Sequence, residues 1–305
     1  MKSNSPSSTA LLIGKSIVFT SKDPLLGCLL PEDFRHYTRE ILRAALGTFG
    51  LSFYEVIGKL LPIRFLVRFV EKLTVPGMSV HYILRKRQID EWIQQVAHSG
   101  SKFDQLVVIG AGLDTLGIRA ASKWPNIKVF EIDHPATQVV KRDTMRLKYV
   151  EQPENFFLVP SDLSKKSLEA TLLEEPGFSY SENTIFLAEG LFMYLSLDAV
   201  GKTIDILRKF TKGQCGFIFS YMDLDKFGNP SFVNQGPLVN FWLSLKKEVF
   251  AWGSHKKSLE AFVNARGFQI VSHVTGEDIR LKYLSDRKFS NVVTAQGENL
   301  IWIHS

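Results

Sequence analysis

Residues 104–115, DQLVVIGAGLDT, decide the fold: an apolar run of Leu106, Val107, Val108 and Ile109 ends in Gly110-Ala111-Gly112 and leads into a helix-like segment. A strand covered on both faces reads as a continuous apolar run, and glycines directly behind it let the backbone turn tightly against a bound nucleotide. Toward the C-terminus the same unit recurs as NIKVFEID (126–133), NFFLVP (155–160), NTIFLAEG (183–190) and CGFIFSY (215–221), separated by amphipathic stretches such as SLDAVGKTIDILRKF (196–210). Strands alternating with helices predict an α/β fold, a parallel doubly wound sheet with helices on both faces and ligands at the carboxyl ends of the strands. Two helices, over 236–252 and 256–265, then precede GFQIVSHV (267–274) and NLIWIHS (299–305), which read as a closing pair of strands. Toward the N-terminus, residues 31–49, 57–73 and 79–100 carry apolar residues at spacings of three and four and read as helices. The pattern divides the chain into an N-terminal helical lid or substrate-binding region, 1–100, and a core, 101–305.

The 305 residues are 45% hydrophobic and 12% aromatic, enough to bury a sizeable core. The two cysteines, Cys28 and Cys215, are far apart, which excludes a disulfide framework and a cysteine zinc site and suits a reducing, cytoplasmic setting. A net charge of +6 favours anionic partners, yet the basic pairs at 165–166, 246–247 and 256–257 are scattered and not interleaved with aromatics, so no nucleic-acid partner is expected. The start, MKSNSPSSTALLIGKSIVF (1–19), has a short apolar run broken by Gly14 and Lys15; it reads as a frayed segment, too short for a span and without a small-residue cleavage site.

The turn after the first strand narrows the chemistry. A dinucleotide fingerprint needs a third glycine at 115, where this chain has Thr115 preceded by Asp114. A carboxylate at that entrance repels a pyrophosphate but accepts hydrogen bonds from the ammonium of S-adenosylmethionine (SAM). Asp114 could also cap the helix that runs through Arg119. Glu131 and Asp133 share one face of the second strand, and an acid at that strand's end suits a ribose diol. After the third strand come Ser161-Asp162-Leu163, where Asp162 could accept from an adenine amino group while Leu163 packs on the ring, or could cap the next helix. Seven strands with a hairpin-like ending suit a methyltransferase better than a six-stranded dinucleotide fold.

Read together with Glu189-Gly190-Leu191-Phe192-Met193-Tyr194-Leu195, these segments resemble the leucine carboxyl methyltransferase family. GAGLDT, FEIDHPATQVVKR, SDL and EGLFMYL stand in the family's order and spacing, and the resemblance covers roughly residues 80–225. It implies a class I SAM-dependent methyltransferase: a Rossmann-like seven-stranded sheet carrying an N-terminal helical lid. It implies SAM contacts at Gly110, Asp133, Asp162, Leu163 and Glu189, the last near the methionyl part, and Gly112, Asp114 and Glu131 join them from the reading above. Arg85, in HYILRKRQID, matches an arginine that helps bind carboxylates, and Tyr194 the tyrosine of the family's E-G-x-x-x-Y-L run. Bacterial members commonly read GAGLDTR with a further arginine three residues on; here Leu116 replaces the first and Arg119 keeps the second. Lys15 or Lys22 is the candidate for the family's N-terminal basic residue.

Methyl transfer from a sulfonium is an in-line displacement, so a carboxylate acceptor, already ionised at neutral pH, needs no general base. The expected reaction is therefore methylation of a carboxylate, on a small molecule or a peptide C-terminus. A phenolic acceptor would call on Tyr194 or His134 as base. The seven histidines show no metal-ligand spacing, and no metal is expected. A different class of reading makes residues 57–73 a peripheral membrane or partner-binding segment, though without stable membrane insertion.

Overall fold

Along β1 (Gln105–Ile109), Leu106 and Val108 enter one buried cluster while Val107 and Ile109 enter another on the opposite side. This two-sided burial is why the segment reads as a continuous apolar run. The computed structural model describes residues 6–98, 103–210, 214–233, 235–236 and 249–305. β2 (Lys128–Asp133), β3 (Phe156–Pro160), β4 (Thr184–Ala188) and β5 (Cys215–Met222) run parallel to β1, as expected. β6 (Gln269–Val274) and β7 (Glu298–His304) complete a seven-stranded sheet ordered β3-β2-β1-β4-β5-β7-β6, with β7 antiparallel to both neighbours. The order reverses between β1 and β4, so a crevice opens at the carboxyl ends of those strands.

On one side of the sheet lie α4 (Met78–His98) and α5 (Leu116–Lys123), whose Ile83, Trp92, Ile118 and Ala121 pack with Leu106 and Val108. On the other lie α7 (Leu168–Leu173), α8 (Leu197–Phe210) and α9 (Lys256–Asn264), through Leu172, Ile204 and Val263. α6 (Pro135–Arg146) packs against β3 and against α2 (Glu32–Ile57). α10 (Gly276–Tyr283), between β6 and β7, was not foreseen, although Thr275 and Asp278 close a reciprocal capping box that the sequence Thr-Gly-Glu-Asp spells out. The helix expected over 236–252 falls largely on residues outside the described ones.

The N-terminal region departs from expectation in two places. Residues 8–21 are not frayed: they form α1 (Ser8–Ser21), capped by Ser7, whose side chain accepts from the Ala10 amide. Gly14, which seemed to interrupt an apolar run, is where α1 crosses α2; a Cβ there would stand 3.1 Å from Leu42. Nor is all of 1–100 peripheral, because α4 is a buried layer of the sheet's own core. Before it come α1, α2 and α3 (Leu61–Leu73), of which α1 packs on α2, and α2 on α5 and α6. α2 is longer than expected and kinks at Gly47, whose φ of +72° is left-handed backbone that glycine adopts without strain. Among the described residues no single helix is long and apolar enough to cross a membrane; α2 and α3 pass that test only as a pair bent by 88°.

Candidate active site

The carboxyl ends of β1 and β2 are tied together through one side chain. Gly110 and Gly112 take φ of +68° and +54°, so the chain doubles back with its amides turned inward. The Gly110 amide donates to the carbonyl of Ile132 at 2.8 Å, and the Gly112 amide to Oδ2 of Asp133 at 2.6 Å. Oδ1 of Asp133 accepts from the His134 amide at 2.6 Å, and each carboxylate oxygen retains a lone pair. Asp133 is thus fixed at the mouth of the crevice, half-buried.

Glu131 does not join it. Two residues deeper on the same strand face, it is fully buried, pairs with Lys141 and lies beneath Gly117, where an added Cβ would collide with its Oε1. It is a core carboxyl, not a group at the mouth, because alternation gives it Asp133's face but not Asp133's place at the strand end. Burial raises its pKa, Lys141 lowers it, and Asp114 and Asp133 add to the rise, leaving it pushed up to about 7.

Beside the glycine turn stands a buried cluster of charges. Lys86 Nζ lies 3.1 Å from Asp114 Oδ2 and 3.1 Å from Glu189 Oε1. Arg85 donates from Nε to Glu189 Oε1 at 2.8 Å, and from Nη1 to Glu298 of β7. His81 Nε2 stands 2.8 Å from the same Glu298 oxygen. Burial opposes ionisation of Glu298, but Arg85 and His81 outweigh it and hold its pKa down to about 2. Asp114 is likewise held well below the usual carboxylate range: burial opposes this, and Lys86, Lys141 and Arg119 prevail. Its Oδ1 accepts from the Thr115 amide, while the cap position of α5 falls on Thr115, so Asp114 serves the ion pair and not the cap.

This arrangement corrects the view of Arg85 as a free carboxylate clamp. Its fork is spent on Glu189 and Glu298, and its guanidinium flanks Gly190, where a Cβ would be 3.7 Å from Nη2. Lys86, His81 and Glu298 were missed. The run Arg85-Lys86-Arg87 looks like a solvated turn in sequence, but Arg85 and Lys86 fall on the buried face of α4, so these two cations must find carboxylates from the end of β4, from β7 and from the glycine turn.

Asp162 lies at the end of β3, accepting from the amide and hydroxyl of Ser164 at 3.1 and 2.6 Å; these bonds and Lys165 hold its pKa down to about 2. Ser167, not Asp162, caps α7. Leu163 packs against the second core cluster with Leu191. His134 caps α6, its Nδ1 accepting from the Ala136 amide at 3.2 Å, and its Nε2 stands 3.8 Å from Asp162. Tyr194, on a short 3-10 turn after β4, packs on Phe250 at 5.7 Å between ring centres. Leu116 is core, whereas Arg119 bonds Thr115 and Asp90. Lys15 lies over the Tyr54 ring, and Lys22 pairs with Glu55 in a separate cavity of about 280 Å³ between α1 and α2. Over the turn itself lies α1: Leu113 is buried among Val18, Leu42 and Val140, and a Cβ at Gly112 would meet Ala10 at 3.3 Å.

The sequence model of the leucine carboxyl methyltransferase family matches residues 64–208, which bears out the resemblance read from the motifs. A Bacillus subtilis protein assigned as an S-adenosyl-L-methionine-dependent methyltransferase, YktD, is 28% identical over 184 residues, 60% of this chain and 60% of its own. A Mycobacterium tuberculosis protein with the same assignment is 32% identical over 129 residues, 42% of this chain and 40% of its own. The chain thus covers less than two thirds of either relative's length. Among solved structures, a protein assigned as a methyltransferase from Thermobifida fusca superposes with a TM-score of 0.55 at 16% identity, covering 87% of this chain and 93% of that one. A DUF574 family protein from Streptomyces avermitilis gives 0.57 at 14%, covering 87% and 96%. At such identities these two speak for the class I methyltransferase fold alone.

Proposed function

We infer that this chain is a SAM-dependent methyltransferase of the leucine carboxyl methyltransferase type, and that it methylates a carboxylate oxygen. The observation that carries the reading is the charge of the cluster beside the glycine turn. Asp114, Glu189 and Glu298 gather there with Arg85, Lys86 and His81, and Asp114 and Glu189 stand as ionised carboxylates beside the turn. Carboxylates in that place accept from an ammonium and repel a pyrophosphate. SAM carries a sulfonium, an ammonium and a carboxylate, a net single positive charge, and no phosphate, so it fits where a dinucleotide would not.

The residues divide the cofactor between them. Asp133, with a lone pair left on each oxygen, accepts from the ribose hydroxyls, and Gly110 and Gly112 let the backbone come close. Asp162 takes the adenine amino group and Leu163 one face of the ring. Glu189 and Asp114 take the ammonium, while Lys86 and the flank of Arg85 take the methionyl carboxylate. When bound, the cofactor supplies an electrophilic methyl group. Glu298 and His81 hold Arg85 in place, which fixes Glu189 in turn. α1 and α2 act as the lid, and α1 over the turn keeps water from the reacting centre.

A carboxylate acceptor is favoured because it is ionised at neutral pH and needs no base, and because His134 Nδ1 is committed to the α6 cap. Calorimetric titration with SAM, S-adenosylhomocysteine and NADH, followed by methyl transfer to panels of carboxylic acids and phenols, tests the reading. Binding of NADH without SAM would end it. A phenol as best acceptor, with a rate rising through a histidine pKa, would replace the carboxylate and leave the methyltransferase standing.

A further inference from the structure

α3 presents its apolar side to the solvent. Of its 13 residues none is buried. On a helix of 3.6 residues per turn, Arg64, Arg68 and Glu71 form one stripe, Phe65, Leu66, Phe69 and Val70 lie on the opposing arc, and Lys72 stands at the edge between them. The polar stripe is the side tied to the body. Arg68 reaches Asp23 Oδ2 at 2.7 Å and Arg64 at 3.7 Å, and Glu71 accepts from the Ser79 amide at 3.1 Å. The apolar arc is left outside, with Phe65 and Phe69 exposed at 62% and 58%. The second half of α2, which leads into α3, also exposes Phe49 at 95% and Phe53 at 61%. Exposed apolar side chains gathered in this way mark an interaction surface.

Charge selects the occupant. The nearby carboxylates are all turned inward and engaged: Asp23 with Arg64 and Arg68, Glu55 with Lys22 and Arg39, Glu71 with Ser79. Lys59 and Lys72 stand exposed at the margin with no ion pair among the described residues. A two-fold pairing of this patch with a second copy would bring lysine toward lysine across an apolar seam. An anionic lipid surface meets both features, because acyl chains take the aromatic rings and headgroups take the lysines.

We propose that α3 and the second half of α2 dock this protein on an anionic bilayer, with Phe65 and Phe69 at the acyl boundary and Lys59 and Lys72 among the headgroups. This proposal does not rest on the methyltransferase reading. The test is flotation of the full chain with vesicles of phosphatidylcholine alone or mixed with phosphatidylglycerol, at low and high salt, with light scattering for oligomeric state. The chain should float with the mixed vesicles and less at high salt. Phe65→Ser with Phe69→Ser should cut partition about tenfold or more, and Lys59→Ala with Lys72→Ala about fivefold per lysine. The second pair keeps the test intact should the first unfold. Failure to float with anionic vesicles, or flotation indifferent to both pairs, overturns the proposal. So does a dimer that the phenylalanine pair dissolves in the absence of lipid, which would make a second copy the occupant.

Discussion

Asp133 and Arg85 carry different kinds of work, and their variants should separate it. Asp133 offers two charged acceptors on a strand end that the Gly112 amide already fixes. Asp133→Asn should cost about 1.5–3 kcal/mol of SAM binding, tenfold or more in Kd by calorimetry, and should also lower the melting temperature, because the new amide nitrogen cannot accept from one of the Gly112 and His134 amides. Arg85 instead bridges Glu189 and Glu298, so Arg85→Ala leaves Glu189 to Lys86 and Glu298 to His81 and should lower stability by about 3–5 kcal/mol in denaturant titration. Arg85→Lys keeps the charge but cannot serve both carboxylates at once; we expect near-normal SAM affinity and turnover reduced about tenfold or more. Full turnover in Arg85→Lys would mean that Glu189 needs no such support. Asp133 was legible in the sequence because a strand end next to a glycine turn has one place to be. The cluster around Arg85 was not, since its partners lie 104 and 213 residues away and only the fold brings them in.

At the scale of elements, the parallel strands were read closely because burial on both faces writes itself as an apolar run, as in Val107-Val108-Ile109. α1 and α10 were not, for opposite reasons. α1 carries a glycine that looks like a breaker and is a crossing point with Leu42; α10 is short and mostly polar, held by its capping box. The position of α1 bears on binding. Ala10 lies against the glycine turn, so a larger side chain there must enter the space above Gly112 or lift the helix. Ala10→Phe should weaken SAM binding about tenfold or more while leaving the sheet's thermal unfolding intact, measured by calorimetry and circular dichroism. Unaltered affinity would show that α1 yields freely and does not gate the turn.

For the whole molecule, buried carboxyls of opposite tendency set the dependence of stability on pH. Glu298, held down to about 2 by Arg85 and His81 against the cost of burial, contributes stability that is present above its ordinary value near 4.5 and is lost as pH falls through 2. Glu131 runs the other way. With its pKa pushed up to about 7 by burial, it favours the folded state when protonated, so its contribution is whole below 4.5 and disappears as pH rises through 7. The two limbs leave greatest stability on the mildly acidic side of neutrality, and the descent toward pH 8 belongs to Glu131. Glu131→Gln keeps the shape beneath Gly117 and cannot ionise. Its melting temperature should therefore fall less between pH 5 and pH 8 than that of the unaltered chain. Parallel descents in the two proteins would mean that Lys141 keeps Glu131 ionised across the whole range, and that the loss of stability on the alkaline side has its source in another group.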